Sequence, residues 1–174
     1  MLPRLNDLDR SISGRLVARP EPGRRYLWLE FVHRLSQTGS YGVGWVVLFG
    51  VMVTMIDGWK LALLASGCVL GTLLVNTGIK LLIRRPRPRF NPIGHSPNSY
   101  SMPSAHTAMA VVGAAIMTVV APALVVVWWA WTVSLAVSRV ILGMHYAGDV
   151  LAGAALGALL AWFVALPLLE LAGA

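Results

Sequence analysis

Charge is distributed along this chain in short clusters separated by long blank stretches. Between Leu35 and Ile56 there are 22 consecutive uncharged residues, between Leu61 and Ile79 nineteen, and between Val150 and Leu169 twenty. Each run is long enough to cross a hydrocarbon core of about 30 Å as a helix. From Thr107 to Ser138 another 32 residues carry no charge, too many for one crossing and enough for two with Pro122 as the break. The pattern predicts spans at about Ser40–Ile56, Trp59–Ile83, Ser104–Val120, Pro122–Leu142 and Ala147–Leu169, with a turn at Asp57 and Gly58 between the first two. Trp45 and Trp59 fall near the two ends of the first span, where an aromatic belt would put them. Gly67 with Gly71, and Gly153 with Gly157, are four apart, a small-residue spacing that lets helices approach closely.

Ahead of the spans the pattern becomes periodic. Leu5, Leu8, Ile12 and Leu16 recur at helical spacing, with Asp7, Asp9, Arg10 and Arg15 elsewhere on the wheel. Arg19 to Gly23 breaks that helix, and Trp28, Phe31, Val32 and Leu35 then mark a second amphipathic stretch suited to the headgroup region. The expected fold is all-α: an integral membrane helical bundle of about five transmembrane helices, residues 39–174, preceded by an amphipathic interfacial segment, residues 1–38. After the second span, Arg84, Arg85, Pro86, Arg87, Pro88 and Arg89 begin a loop through Pro92, Gly94, Pro97 and Pro103 that cannot be helical throughout. Extramembrane loops of that length commonly carry function.

Composition agrees with a membrane protein: 57% of the 174 residues are hydrophobic and 12% charged, and the formal charge is +7. So apolar a chain has too little soluble surface for a nucleic-acid footprint, so its arginines are expected to meet anionic lipids or phosphates. Residues 1–34 hold seven arginines and four acids and have no long apolar run, so no cleaved leader is expected. The single cysteine, Cys68, says nothing about redox compartment.

Ionisable residues inside membrane segments are costly and therefore functional candidates. Lys80 and Arg87 stand at the exit of the second span, Ser104 and His106 at the start of the third, Arg139 and His145 at the exit of the fourth, and Asp149 at the start of the fifth. Because successive spans alternate direction, all seven fall on one face of the membrane. Three cations and two histidines against one carboxylate make an anion site, and at a bilayer surface that anion is most simply a phosphate. Ser104 and the amides of Ala105 and His106 follow Pro103 at a helix start, which favours a negative ligand. His145 and Asp149 are four apart, so the carboxylate can hold one ring nitrogen and leave the other free to attack phosphorus. His106 can then donate a proton to the leaving alkoxide while Lys80, Arg87 and Arg139 neutralise the phosphoryl oxygens. A metal site built from His145, Asp149, His95 and His106 is the weaker alternative, since three cations would repel a divalent ion. Arg84, Arg85 and Arg89 are expected to be interfacial anchors.

Three segments carry a resemblance. Lys80–Pro88 reads KLLIRRPRP, Pro103–His106 reads PSAH, and Ser138–Asp149 reads SRVILGMHYAGD. In this order they resemble the signature of the type 2 phosphatidic acid phosphatase family, which is related to the vanadium haloperoxidases. The resemblance covers about residues 40–170. It implies a phosphatase that works without metal or cofactor through a phosphohistidine, with His145 as nucleophile, Asp149 as its partner and His106 as acid. Lys80, Arg87, Ser104, Ala105 and Arg139 would hold the substrate phosphate. Two departures stand out: the middle motif usually has Gly where this chain has Ala105, and membrane relatives commonly have six spans rather than five.

The implied substrate is a lipid phosphate. Small family members act on polyprenyl-linked sugar phosphates such as decaprenylphosphoryl-5-phosphoribose, whereas undecaprenyl diphosphate, phosphatidate and phosphatidylglycerophosphate are the alternatives. A non-catalytic lipid-phosphate binder would use the same pocket. Setting the catalytic cations aside, ten arginines lie on the active face and only Lys60 on the other. The positive-inside rule then predicts a multi-pass protein of the cell membrane with its N-terminus and active site in the cytoplasm.

Overall fold

A computed structural model describes residues 2–21, 24–56, 58–90, 92–93 and 98–172. The described residues form helices and connecting loops, without strands. Helix α1 spans Leu2–Leu16, α2 Leu27–Thr38, α3 Val43–Ile56, α4 Trp59–Ile83, α5 Ala105–Val120, α6 Val125–Ile141, α7 Ala147–Leu160 and α8 Leu166–Leu171. A 3₁₀ turn at Ser40–Gly42 leads into α3, another at Pro122–Leu124 leads into α6, and a π turn at Ala161–Ala165 joins α7 to α8. By length and composition, Trp59–Ile83, Pro122–Ile141 and Ala147–Leu171 could each cross a membrane, and Ala105–Val120 is a shorter apolar helix. Asp57, Gly94, His95 and Pro97 lie outside the described residues.

The helices end where the sequence removes their next hydrogen bond. Arg84 stops α4 by turning left-handed at φ 53°, its amide bonding to the Lys80 carbonyl at 2.9 Å, and Pro86 and Pro88 follow. Gly143, at φ 69°, makes the turn after α6 that lets the chain double back to His145 and α7.

α5 is the central helix. Ala108, Met109, Ala110, Val112, Ala114, Ile116 and Met117 are all essentially inaccessible, and α3, α4, α6 and α7 gather around them in a bundle with Trp45, Phe49, Val69 and Leu135. Its small residues make this possible. A Cβ on Gly113 would fall on the Trp45 ring, and Cβ atoms on Gly153 and Gly157 of α7 would come within 2.5 and 2.6 Å of the Ser104 and Ala108 carbonyls. The Gly153/Gly157 spacing therefore does bring two helices together. Gly67 and Gly71 do not: a Cβ there meets nothing within 4 Å, because α4 packs on α3 and α5 through its other faces and leaves this stripe over an apolar groove. Trp45 is likewise a core residue, 1% exposed, stacked on Phe49 and tilted against Trp131, rather than part of an aromatic belt. Trp59 is exposed.

The outer surface is inverted relative to a water-soluble bundle. Leu74, Leu82, Val126, Leu151, Trp162 and Phe163 all point outward and are at least 69% exposed, whereas Lys80, Arg139, His145 and Asp149 are buried. Apolar outside and ionisable inside is the arrangement that lipid as solvent favours.

Candidate active site

One end of the bundle collects the exit of α4, the start of α5, the exit of α6 and the start of α7. A cavity of about 380 Å³ opens there, lined by Lys80, Arg87, Ala105, His106, Met109, Arg139, Met144 and His145, with His33, Ser36, Gln37 and Ser40 from the α2 end and Leu73 and Ser99 completing the wall. Residues read from four separate stretches of sequence thus share one chamber. Ser104 and Asp149 stand directly behind its wall, both with no exposed surface.

Hydrogen bonds fasten the start of α5 to α7 and α4. The Ser104 amide donates to the Asp149 carbonyl at 2.9 Å, and Asn76 of α4 donates from Nδ2 to the Pro103 carbonyl at 3.3 Å. Ser104 is the N-cap residue of α5, so the following amides, beginning with Ala105 at the cavity wall, lack acceptors within the helix. The Ser104 hydroxyl accepts from Thr107 Oγ1 at 3.1 Å, which leaves its own proton to donate.

His145 is 1% exposed. Arg87 Nη1 donates to its Nε2 at 3.2 Å, and a guanidinium has no acceptor to offer. Nε2 therefore carries the lone pair and Nδ1 the proton, which faces Asp149 Oδ2 at 3.5 Å. This is an ion-dipole contact rather than a formed hydrogen bond, and Nδ1 is without a hydrogen-bond partner among the described residues. Burial pushes the imidazole down to about 4; Asp149 opposes the fall, and Arg87 and Arg139 reinforce it. The ring is neutral at pH 7.

Asp149 has its oxygens occupied. Oδ2 accepts from the Tyr146 amide at 2.9 Å and Oδ1 from Arg85 Nη1 at 2.7 Å. This corrects the reading of Arg85 as an interfacial anchor. Its guanidinium is largely buried, lies 4.4 Å from the Tyr146 ring centroid, and bridges Asp149 to Asp9 of α1. Arg84 and Arg89 are exposed, as anchors would be.

The opposite wall also brings in residues that sequence reasoning passed over. Arg139 Nη1 donates to Ser36 Oγ at 2.6 Å, while its Nε, buried, has no hydrogen-bond partner among the described residues. His106 Nε2 lies 3.4 Å from Ser40 Oγ. Ser36 and Ser40 are one helical turn apart at the end of the second amphipathic stretch, whose apolar periodicity drew attention to the other face. α2 and the turn after it are thus part of the chamber. Arg87 is braced by Ser99, whose carbonyl accepts from Nε at 2.7 Å and whose hydroxyl accepts from Nη2 at 3.0 Å.

Comparison with known proteins fits this geometry. The profile of the PAP2 superfamily matches residues 60–168, more than half of the chain. The chain belongs to the PAP2 superfamily. It is 36% identical over 129 residues to a decaprenylphosphoryl-5-phosphoribose phosphatase of Mycolicibacterium smegmatis, covering 68% of this chain and 67% of that protein. It is 32% identical over 132 residues to the protein of that name from Mycobacterium tuberculosis, 71% of each. Among solved structures it resembles a transmembrane PAP2 type phosphatidylglycerolphosphate phosphatase from Bacillus subtilis, with TM-score 0.76 and 28% identity, over 92% of this chain and 84% of that one. Aquifex aeolicus LpxE shares the fold at TM-score 0.70 and 19% identity, over 90% and 91% of the two chains. This PAP2 chain is a phosphatase, and its apolar helices and relatives make it a membrane protein.

Proposed function

We propose that this PAP2 phosphatase hydrolyses a polyprenyl-linked phosphate, decaprenylphosphoryl-5-phosphoribose first among candidates, through a phosphohistidine on His145. The observation carrying the mechanism is a buried histidine with its Nε2 lone pair on a chamber that Lys80, Arg87 and Arg139 also line. The names of the two mycobacterial relatives support the substrate. Phosphatidylglycerophosphate is the second reading, favoured by the Bacillus subtilis structure.

In this mechanism the substrate phosphate enters between the three cations and the Ala105 amide, with the Ser104 hydroxyl donating a further hydrogen bond. Arg87 exchanges its bond to Nε2 for one to a phosphoryl oxygen. Nε2 attacks phosphorus, the P–O bond to the lipid-linked alkoxide breaks, and His106 gives that oxygen its proton. His145 becomes cationic as the N–P bond forms, and Asp149 holds the Nδ1 proton and balances the charge. Water then gives a proton back to His106 and attacks phosphorus; the N–P bond breaks and phosphate departs. Each step closes without a metal ion, because the three side-chain cations supply the charge that a metal would otherwise provide.

The same reading takes residues 39–174 as the catalytic transmembrane domain with five crossings, and residues 1–38 as an interfacial segment on anionic headgroups. The exposed Leu8, Ile12, Leu16, Trp28 and Phe31 on α1 and α2 support the latter. The arginine bias supports a cytoplasmic site. With Cys68 replaced by Ser, a cysteine placed at Asn98 should resist a membrane-impermeant thiol reagent in intact cells and react after permeabilisation. Labelling in intact cells would reverse the orientation.

The functional test is phosphate release by purified protein over a panel of polyprenyl sugar phosphates, polyprenyl diphosphates, phosphatidate and phosphatidylglycerophosphate. Activity should persist in excess chelator, be blocked by vanadate, and be highest on the polyprenyl sugar phosphate. A preference for phosphatidylglycerophosphate would select the second reading, and inactivity on the whole panel would leave a lipid-phosphate binder.

A further inference from the structure

α1 turns its polar side to the protein. Asp9 Oδ2 accepts from Arg85 Nη2 at 2.7 Å, and Oδ1 accepts from the Gly148 amide at 3.0 Å and from Ser13 Oγ at 3.3 Å. Ser13 Oγ in turn accepts from the Ala147 amide at 2.9 Å. Ala147 and Gly148 open α7, where amides have no acceptor within the helix, so two residues of α1 cap a helix more than a hundred residues later in the chain. Arg85 completes the figure by donating its other terminal nitrogen to Asp149. None of Asp9, Ser13 and Arg85 lines the cavity.

An interfacial tether needs no such arrangement. Its acids could face water, where they would cost nothing to keep charged; instead Asp9 is only 16% exposed and shares its cation with a carboxylate that is wholly buried. Alone with Asp149, Arg85 would draw that carboxylate toward itself and offset its field at His145. Shared between two carboxylates, Arg85 fixes Asp149 while leaving it net negative toward the imidazole. The capping bonds act on the same target, because Asp149 is the third residue of the helix they anchor.

We propose that Asp9 is a positioning residue for the phosphatase reaction: by sharing Arg85 and capping the start of α7, it holds Asp149 where that carboxylate orients His145. The proposal rests on His145 being the nucleophile and Asp149 its partner. It also accounts for Gly148, since a Cβ there would lie 2.6 Å from Asp9 Oδ2. Asp9 and Gly148 therefore meet in one contact that can be disturbed from either side.

The test uses full-length protein in detergent and steady-state phosphate release from the best lipid substrate of the panel. Asp9→Asn removes the charge and one of the two acceptor oxygens, so Arg85 and the Gly148 amide no longer each have their own; Gly148→Ala keeps the charge but displaces the carboxylate. Each should lower kcat by about tenfold, with KM and the inhibition constant of inorganic phosphate within about twofold of wild type, because no phosphate contact is altered. If Asp9→Asn does not fold, Ser13→Ala loosens the same cap without a charge change and should lower kcat by about threefold at unchanged KM. Wild-type kcat in these variants, or KM and the phosphate inhibition constant rising in step with the loss of kcat, overturns the proposal. His145→Ala is assayed alongside: if it is inactive while the α1 variants behave as wild type, only the role of α1 fails, whereas activity in His145→Ala removes the mechanism on which the role depends.

Discussion

Alanine in place of His145 should reduce phosphate release by on the order of 10³-fold or more, the scale on which losing a covalent nucleophile is felt. The ring is held in one orientation and one tautomer. A guanidinium donates to Nε2 and a carboxylate faces Nδ1, so one tautomer is selected and the lone pair is kept on the cavity side. The chamber's other two histidines, His33 and His106, have no such pairing of a carboxylate and a guanidinium among the described residues; His106 lies 3.4 Å from Ser40 Oγ instead. Quenching wild-type protein during turnover of a ³²P-labelled substrate should trap a phosphoprotein that is stable in alkali and labile in acid, as a phosphoramidate is, and His145→Ala should trap none. The pH profile offers a further check. A ring pushed down to about 4 stays unprotonated until the pH falls toward that value, so the acid limb of kcat/KM owed to His145 should lie well below the ordinary histidine range near 6.5. Protonation removes the lone pair, so the rate must fall, not rise, below the limb. A variant that retains turnover and the labelled adduct would exclude His145 as nucleophile.

The fold and much of this site were legible in the sequence because membrane burial leaves a coarse signal. Charge-free runs mark helices wherever water is absent, and the few ionisable residues between them mark the end of the bundle where they converge. Lys80, Arg87, His106, Arg139 and His145 were found in that way and do line one cavity. What the pattern hid were contacts between ordinary-looking residues. Arg85 sits in a run of arginines whose first and last members, Arg84 and Arg89, are exposed, and only the folded chain separates it from them. Asp9 and Ser13 occupy the polar side of an amphipathic helix, where water is the default partner. Ser36 and Ser40 are uncharged, and hydroxyls in a periodic apolar stretch carry no signal of the arginine or histidine they will meet. The glycine pairs teach the same point: identical spacing brings α7 against α5 at Gly153 and Gly157 but faces an open groove at Gly67 and Gly71. Spacing defines a face, and the neighbours decide what covers it.

Alanine in place of His106 should divide substrates by their leaving groups. A lipid-linked alkoxide is a poor leaving group and needs its proton as the P–O bond breaks, so phosphate release from the lipid should fall by about 10²–10⁴-fold. p-Nitrophenolate leaves without a proton, so attack by His145 on p-nitrophenyl phosphate should be nearly unimpaired. The second half of the cycle still needs a base to take a proton from water, and His106 is the group proposed for that too. The variant should therefore release a rapid burst of p-nitrophenol equal to the enzyme present, then turn over slowly while the phosphoprotein accumulates. Rapid mixing with p-nitrophenyl phosphate, followed by the alkali-stable label assay, reads both. Ser40→Ala provides the companion measurement: it removes the hydroxyl 3.4 Å from Nε2 of His106 and leaves the ring in place, so it should weaken the same leaving-group dependence without abolishing it. Equal losses of the burst rate on both substrates would mean that His106 serves binding rather than proton transfer, because only a proton donor distinguishes an alkoxide from a phenolate that departs unaided.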